Sequence, residues 1–306
     1  MKILVTGGAG FIASHVVDRY IALGHQVTVV DNLERGRKEN LNPQAKFIEL
    51  DILSPQLSDV FSEGNFEVVN HHAAQVSVVY SLDDPIQDAT TNILGSLNLL
   101  GNCIKHKIKK VIYASSGGAG CGEPQYMPLD ERHPVNPLAP YGVSKHTVEH
   151  YLYLFGQNNG LKYVTLRYMN VYGPRQDPYG EGGVVAIFTN KMFHNEVPTI
   201  NGDGEQTRDF VYVKDVAEAS VMALEKGEGQ GVLIGSGIET SVNDIYSSLK
   251  DATGYAGEVI KGPGLVGEVR SIYADCSLAR DILGWTPQTS LDQGMKETVD
   301  FYRNFS

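Results

Sequence analysis

The stretch TGGAGFIA, Thr6 to Ala13, decides the fold expected for this chain. It follows a short apolar run, Lys2 to Thr6, that predicts a buried strand, and it leads into apolar residues at helical spacing from Phe11 to Leu23. Gly24 is a natural end for that helix, and QVTVVD, Gln26 to Asp31, predicts a second buried strand. The order strand, glycine-rich turn, helix, strand indicates the first unit of a parallel sheet.

The glycine-rich turn has the features of a phosphate-binding loop. Gly7 permits a tight turn, Gly10 lets a pyrophosphate approach the backbone, and Ala13 is small enough for the helix to pack on the strand. Free N–H groups and the dipole at the start of the helix favour negative charge there. An ordinary strand-to-helix turn can carry the same glycines, so the pattern alone is weak. Its place between a buried strand and an amphipathic helix supports a dinucleotide site.

A carboxylate at the end of the second strand indicates which dinucleotide is bound. Asp31 lies about 20 residues beyond the loop, where an acidic side chain accepts from the adenosine ribose hydroxyls. It would repel a 2′-phosphate, so NAD is favoured over NADP, although Arg35 and Arg37 leave NADP open. Asp51 follows the third predicted strand and is expected either to contact the adenine or to cap the segment Ser54 to Phe61.

Strands and helices alternate through the first half of the chain. Further strands are predicted at Lys46 to Leu50, Glu67 to Asn70, Lys110 to Ala114 and Lys162 to Arg167, and long helices at Asp84 to Lys105 and Pro137 to Gln157. This alternation predicts an α/β, Rossmann-like fold with a doubly wound parallel sheet over residues 1–169. Beyond it, glycine, proline and tyrosine become frequent and the elements shorten. A smaller substrate-binding region is therefore expected over residues 170–306, with a return to the first domain around 210–236.

Composition and charge exclude several classes of protein. The net charge of -11 argues against a nucleic-acid partner, because neutralising phosphates requires clustered Lys and Arg. No apolar run approaches the roughly 18 residues of a membrane span, and no signal peptide is expected. Cys103, Cys121 and Cys276 show neither metal spacing nor evident pairing. Reduced thiols in a cytoplasmic protein are expected.

Tyr141 and Lys145, in PYGVSK, are the candidate catalytic pair. Four residues apart at the start of a helix, they lie on the same face. A tyrosine that acts as a base at neutral pH needs its pKa lowered from about 10 to about 7. A neighbouring ammonium and a nicotinamide cation both favour the phenolate. Such pairs are common by chance, but a position after the fifth strand, behind a dinucleotide loop, supports the catalytic interpretation.

Several segments together resemble an extended short-chain dehydrogenase/reductase, and within that family most closely the UDP-glucose (UDP-galactose) 4-epimerases. The resemblance runs from Met1 to about Phe305 and is carried by TGGAGFIASH, VVDN, HHAAQ, Asn92, YASSGGA, YGVSK and RYMNVYGPRQDP. It implies that the cofactor is NAD. The residues it leads us to expect around NAD are Gly7, Gly10, Phe11, Ile12, Asp31, Asn32, Asp51, Ile52, Ala73, Ala74, Gln75, Asn92, Ser115, Tyr141, Lys145 and Tyr168.

By this resemblance SSGGAGCG, Ser115 to Gly122, is the end of the fifth strand and faces the sugar opposite Tyr141. Members of the family carry a Ser or Thr there that bonds the reacting sugar hydroxyl. Aligning the segment places that position at Gly117, so Ser116 is expected to serve as a substitute catalytic hydroxyl only if the backbone shifts.

The same stretch separates this chain from related enzymes. Gly118 and Ala119 stand where the sugar-nucleotide dehydratases carry an Asp-Glu pair, so elimination lacks its proton donor. The related decarboxylases generally keep a Glu in this stretch, which disfavours decarboxylation. Cys121 has no activating neighbour in the sequence and is not expected to be a nucleophile.

The resemblance also implies a sugar-nucleotide site. The residues expected to contact the substrate are Ser77, Asn170, Val184, Arg208 and Arg270. Two arginines suit a diphosphate, because guanidinium groups bind phosphate oxygens bidentately. Ser77 is equally suited to cap a helix. Ile272 falls near the position that limits the substituent at sugar C2 in the family.

Three polar residues have simpler explanations than a role in chemistry. His71 and His72 invite a metal interpretation, but no third ligand stands at suitable spacing, and a strand end beside the cofactor explains them better. Asp215 is most simply the N-cap of a helix.

Together these features predict a homodimeric, NAD-dependent 4-epimerase of a UDP-sugar. Tyr141, assisted by Lys145, takes the proton of the sugar 4-hydroxyl, and a 4-keto sugar turns about its diphosphate link while NAD stays bound. The resemblance implies a dimer through the helices at about 84–105 and 138–157. Open alternatives are a UDP-uronic acid or UDP-N-acetylhexosamine 4-epimerase, a net oxidoreductase or decarboxylase, and a non-catalytic NAD-binding module.

Overall fold

A computed structural model describes residues 1–179, 183–264 and 269–304. Its first half alternates strands with helices, as the sequence predicts. The elements are β1 Lys2–Thr6, α1 Phe11–Ala22, β2 Gln26–Asp31, β3 Lys46–Glu49, α2 Leu57–Gly64, β4 Val68–His71, α3 Val78–Asp83, α4 Pro85–Ala89, α5 Ser96–Lys105, β5 Lys110–Ser116, α6 Gly118–Cys121, α7 Pro140–Asn159 and β6 Lys162–Tyr168.

The second half has shorter elements. They are β7 Asn170–Tyr172, α8 Val184–Phe193, β8 Thr199–Asn201, β9 Thr207–Tyr212, α9 Val213–Met222, β10 Gln230–Ile234, β11 Glu239–Ser241, α10 Val242–Thr253, β12 Ile260–Gly262, β13 Ser271–Ile272 and α11 Leu291–Arg303.

Seven parallel strands form the main sheet in the order β10-β6-β5-β4-β1-β2-β3. The predicted doubly wound α/β fold is confirmed. The chain winds outward from β1 in both directions, so the strand order reverses between β1 and β4. A crevice opens at the carboxyl ends of the strands at such a point, and ligands of doubly wound folds bind there.

Alternating side chains of the central strands build a core on each face of the sheet. Ile3 and Val5 of β1 pack with α1 and α9 on one face, and Leu4 packs with α2, α5 and α7 on the other. A strand buried on both sides must be apolar throughout, which is why β1 has no polar alternation.

The smaller region packs at the carboxyl edge of this sheet. β9 pairs with β7, β11 and β13, and β8 pairs with β12. α8, α10 and α11 cover them, with Phe188, Ile245 and Met295 among the buried residues of the third core. Because α9 and β10 lie in the first core, the chain crosses between the two regions more than once.

The helix predicted from Asp84 to Lys105 is interrupted by a wider turn. α4 leads into a π-helical segment, Thr90–Gly95, before α5 begins. Asn92 lies inside that turn with its side chain buried. Single π-turns within helices occur frequently at functional sites. No helix among the described residues is both long enough and apolar enough to cross a bilayer.

Candidate active site

A cavity of about 740 Å³ occupies the crevice at the strand ends and extends under the smaller region. Most of the residues predicted from the sequence to bind ligands line it. These are Gly7, Gly10, Phe11, Ile12, Asp31, Asn32, Asp51, Ile52, Ala73, Ala74, Gln75, Ser77, Ser115, Ser116, Tyr141, Lys145, Tyr168, Asn170, Val184 and Arg208. This volume lies within the range of small-molecule and cofactor sites.

The glycine loop fits a dinucleotide pyrophosphate. Gly7 has φ +71°, and a Cβ atom there would lie 2.7 Å from the backbone nitrogen of Ala73, so only glycine fits. Gly10 begins α1 without a side-chain cap. The first N–H groups of the helix therefore face the cavity with no side-chain acceptor at the cap, which is the arrangement that binds phosphate.

Asp31 is set at the rim of the cavity by two backbone bonds. Its carboxylate accepts from Ala9 N at 3.0 Å and from Leu33 N at 2.8 Å, and burial raises its pKa. Arg35 and Arg37 also line the cavity. The Arg37 guanidinium forms an ion pair with Asp177, in the loop after β7, with its Nη2 atom 2.9 Å from a carboxylate oxygen.

Asp51 does not cap a helix. Its carboxylate accepts from Leu53 N at 2.7 Å and from Asn32 Nδ2 at 2.8 Å, and α2 begins only at Leu57, preceded by Gln56. Of the two expected roles, helix capping is therefore wrong, and the position of Asp51 on the cavity wall suits contact with the adenine.

Asn92 is expected from the sequence to bind the cofactor, but its side chain does not line the cavity. Its Oδ1 atom accepts from Gln75 N at 2.8 Å, and its Nδ2 atom donates to Gln75 O, Asp88 Oδ1 and Ser144 Oγ at 3.0 to 3.1 Å. Every polar atom of the amide is thus bound to protein. Asn92 holds the loop after β4, and its amide is not among the groups that line the cavity.

The two histidines at the end of β4 lie side by side with different surroundings. His71 bonds Thr6 Oγ1 at 2.7 Å and Ser96 Oγ at 2.9 Å. His72 stacks on Tyr168, with ring centres 6.0 Å apart, and lines the cavity. Burial lowers the pKa of each imidazole to about 3, so both are neutral at pH 7. Among residues 1–179, 183–264 and 269–304, no three His, Cys, Asp or Glu side chains are grouped to hold a metal ion.

Tyr141 and Lys145 share one face of the first turns of α7. The Lys145 Nζ atom donates to Ala114 O at 2.9 Å and lies 5.9 Å from the centre of the Tyr141 ring. Burial lowers the pKa of Lys145 to about 8, and the negative charges of Asp88 and Glu149 partly offset this lowering.

The pKa of Tyr141 differs from the expectation. Burial raises it to about 12, and a hydrogen bond from Ser116 opposes this rise. The expected lowering requires a nicotinamide cation as well as Lys145; in the protein alone, loss of hydration outweighs the Ser116 hydrogen bond. A bound cation at the nicotinamide position would act in the opposite direction.

The hydroxyl beside Tyr141 belongs to Ser116, without any shift of the backbone. Ser116 is the last residue of β5, lines the cavity and bonds Tyr141. Gly117 is turned away, because a Cβ atom there would lie 2.6 Å from Met169 Sδ and 2.8 Å from Leu233 Cδ2. The expected register is wrong by one residue. Cys121 is buried, and burial raises its pKa to about 11.

The predicted substrate residues divide into two groups. Asn170, Val184 and Arg208 line the cavity, and so does Ser77, whose hydroxyl also caps α3 by accepting from Tyr80 N at 2.8 Å. Arg270 does not line it, and its guanidinium makes two bonds to Asp203, at 2.8 and 2.9 Å. Of the two expected phosphate-binding arginines, the structure brings only Arg208 to the cavity.

Two further expectations about the smaller region are wrong. Ile272 is 4% exposed and packs with Leu129, Met169 and Leu233 instead of lining the cavity. Asp215 does not cap α9, because Tyr212 holds the cap position.

The sequence interpretation missed polar residues of the loop after β7. Arg175 and Gln176 line the cavity, and Arg175 Nη1 and Gln176 Oε1 are buried with no hydrogen-bond partner. Arg175 adopts φ +69° and is anchored by Asp18, 2.8 Å from its Nη2 atom. Both residues lie in the segment YGPRQDP, which is one of the segments that carry the family resemblance.

The fold and this site, in which a Tyr–Lys pair and a glycine loop line one cavity, define a dinucleotide-dependent enzyme. The chain belongs to the NAD dependent epimerase/dehydratase family, whose sequence profile matches residues 3–235. NAD is the cofactor of that family.

Three relatives illustrate the similarity. UDP-glucose 4-epimerase of Thermotoga maritima, solved with UDP-glucose, is 49% identical with a TM-score of 0.98, over 100% of this chain and 99% of that one. The Thermus thermophilus UDP-glucose 4-epimerase, solved with NAD, is 40% identical with a TM-score of 0.95 over all of both chains. UDP-glucose 4-epimerase of Mycolicibacterium smegmatis is 41% identical over the full length of both.

Proposed function

We propose that this protein is an NAD-dependent UDP-sugar 4-epimerase, with UDP-glucose and UDP-galactose as its substrates. The observation that carries the proposal is the placement of Ser116, Tyr141 and Lys145 together on the wall of a cavity that begins at a dinucleotide loop. The likeness to UDP-glucose 4-epimerases over the whole chain supports the sugar and the nucleotide. A role in galactose metabolism follows from these substrates.

The chain's own residues supply proton transfer and orientation. Bound NAD supplies a hydride acceptor for sugar C4 and the donor for its return to the opposite face. Tyr141 takes the proton of the 4-hydroxyl and later returns it to the same oxygen. Ser116 stabilises the phenolate by its hydrogen bond to Tyr141, and the Lys145 ammonium adds a favourable positive charge. Because the hydride and the proton both return to the sugar, no net oxidation is expected.

The surroundings of the reacting atoms disfavour elimination. Gly118 and Ala119 carry no acid, and Gly118 and Gly120 leave the start of α6 without bulky side chains. The nearest thiol, Cys121, is directed to the carbonyls of Gly118 and Gly122.

The nucleotide is held by the smaller region. Arg208 on β9 and Asn170 on β7 line the cavity from adjacent strands, and Val184 begins α8 beside them. Arg175, with a buried N–H that has no partner, is a second guanidinium suited to an anion. On this basis Arg175, and not Arg270, is the further arginine that we assign to the nucleotide.

A homodimer and a cytoplasmic location belong to the same proposal. Exposed apolar side chains stand on the helices expected to form the dimer, with Ile86 77%, Leu94 54%, Val143 49% and Leu154 47% exposed. Apolar side chains of this kind would suit a subunit interface if they form one contiguous patch. The three cysteines are free thiols, which suits a reducing compartment.

The test is to incubate the purified protein with UDP-galactose, with and without added NAD, and to follow the products by NMR. We expect UDP-glucose to form without net NADH, and Tyr141→Phe to lower kcat at least about 100-fold while NAD stays bound. Steady NADH production would favour an oxidoreductase. NAD binding without turnover of UDP-galactose, UDP-N-acetylhexosamines or UDP-uronic acids would favour a non-catalytic module.

A further inference from the structure

A buried carboxylate that the proposed mechanism does not use lies beside the active site. Asp88, in α4, is 1% exposed. Its Oδ1 atom accepts from Gln75 Nε2 and from Asn92 Nδ2, both at 3.0 Å. Its Oδ2 atom is also buried but has no hydrogen-bond partner. A buried carboxylate with one unpartnered oxygen is costly unless a positive charge lies nearby.

Asp88 is part of a network that joins three elements. Asn92 donates to Gln75 O and to Ser144 Oγ as well as to Asp88, and it accepts from Gln75 N. Gln75 lies in the loop after β4 and lines the cavity, whereas Ser144 precedes Lys145 in α7. The network thus fastens a wall of the cofactor site to the helix that carries the catalytic pair.

Two carboxylates, Asp88 and Glu149, raise the pKa of Lys145 by their charge, and they have different partners. Glu149, one turn further along α7, is bound by Arg167 through bonds of 2.5 to 3.1 Å and by Ser115 Oγ at 2.6 Å. Its negative charge is therefore largely matched by the guanidinium. Asp88 has only amide donors, so it is the larger of the two contributions that favour the ammonium form of Lys145.

The other groups around Lys145 do not replace this charge. The rings of Tyr113 on β5 and Tyr141 on α7 lie 5.1 and 5.9 Å from its Nζ atom. His71 and His72, at the end of β4, supply no negative charge. The positive charge of Lys145 instead lowers the pKa of each imidazole. Asp88, in α4, therefore supplies the main negative charge that acts on Lys145.

We propose that Asp88 is a positioning residue of the active site, whose carboxylate fixes the Gln75 loop and supplies the negative charge that holds Lys145 as an ammonium ion. It acts through Gln75, Asn92 and Lys145 and does not contact the sugar. The inference rests on the proposed epimerase function, because it concerns the protonation of that enzyme's lysine.

Asp88→Asn removes the charge and can keep the hydrogen bonds. The amide oxygen can accept from Gln75 and Asn92, and the amide nitrogen then takes the place of the unpartnered oxygen. Because Asp88 raises the pKa of both Lys145 and Tyr141, its loss lowers both. The pH profile of kcat should therefore move to lower pH by about one unit, with a loss of about tenfold at about pH 8.5 and none at about pH 6.

Matched variants separate charge from architecture. Asp83→Asn makes the same change at an exposed carboxylate five residues away and should leave the profile in place. Asp88→Ala also removes the two hydrogen bonds, so it should lower the NAD content of the purified protein and raise KM. A profile for Asp88→Asn that superimposes on that of the wild type would overturn the proposal. An equal loss of kcat at every pH would also overturn it, because it would indicate a structural defect.

A second measurement does not depend on epimerase activity. The rate at which acetic anhydride labels Lys145, followed by mass spectrometry across pH, reports its protonation directly. We expect labelling of Asp88→Asn to reach half its maximum about one pH unit below the wild type. If the wild type proves inactive on UDP-sugars but this shift is found, the proposed function fails and the assignment of Asp88 stands. An unchanged labelling profile contradicts the assignment of Asp88 whatever the activity.

Discussion

At the scale of single residues, Ser116 and Gly117 differ in role because β5 ends between them. Ser116 pairs with Tyr168 as the last residue of the strand, and its side chain points into the cavity. Gly117 has helical backbone angles, φ -74° and ψ -51°, and its Cβ direction leads into the packed cluster of Met169 and Leu233. The sequence alignment alone cannot reveal this change of direction.

A matched pair of variants tests this assignment. Ser116→Ala should lower kcat about 100-fold with little change in KM, because it removes the bond that favours the Tyr141 phenolate. Gly117→Ala should lower the free energy of unfolding by about 1–2 kcal/mol, because its methyl group crowds Met169 and Leu233. It should keep kcat within about threefold. Steady-state kinetics and urea unfolding check both, and the reverse pattern would restore Gly117 as the site position.

At the scale of elements, Asp215 connects α9 to the chain before α11. Its carboxylate accepts from Gln288 N at 3.2 Å and from Thr289 N at 2.9 Å, and its backbone carbonyl accepts from Trp285 Nε1 at 2.8 Å. Asp215 is 6% exposed, so its carboxylate has little access to water and depends on these N–H groups. These bonds anchor the segment that leads into α11 to α9, which packs on the main sheet.

Replacement of Asp215 should therefore weaken the fold without affecting the chemistry. Asp215→Ala leaves two backbone N–H groups without their acceptor and should lower the free energy of unfolding by about 2–3 kcal/mol. Asp251→Ala, at an exposed carboxylate, is the control. Urea unfolding measures the difference, and NAD content should stay at the wild-type level. If Asp215→Ala were as stable as the control, the anchoring role would be wrong.

The elements that the sequence could predict are those that depend on local spacing. The hydrophobic pattern predicts β1 and the helix after the glycine loop. The spacing of residues along the chain predicts the roles of Asp31 and of the Tyr141–Lys145 pair. The exclusion of Asn92 from the cavity could not be predicted, because two partners distant in sequence, Gln75 and Ser144, bind its amide. Arg270 is a similar case, since its pairing with Asp203 depends on where β13 meets β9.

At the scale of the whole molecule, three histidines in the interior or on the cavity wall, His15, His71 and His72, contribute to the response to acid. Burial lowers the pKa of His15 to about 4 and that of His71 and His72 to about 3. Among the described residues, the partners of these rings are a backbone carbonyl, hydroxyl groups and an aromatic ring. The folded protein therefore takes up protons on these rings less readily than the unfolded chain, whose histidines titrate near pH 6.5.

The stability of the fold should accordingly be greatest above pH 6.5 and fall as the pH decreases toward 4. Each histidine lowers the free energy of unfolding by up to about 1.4 kcal/mol per pH unit in that range, because only the unfolded chain binds the proton. His15→Gln keeps a donor for Pro174 O, 2.9 Å from the wild-type ring, and cannot titrate. Urea unfolding at several pH values should therefore show a slope about 1.4 kcal/mol per pH unit shallower for this variant, whereas the exposed control His194→Gln should match the wild type. An unchanged slope in His15→Gln would mean that the His15 ring is already protonated in the folded protein, so that burial does not govern its charge.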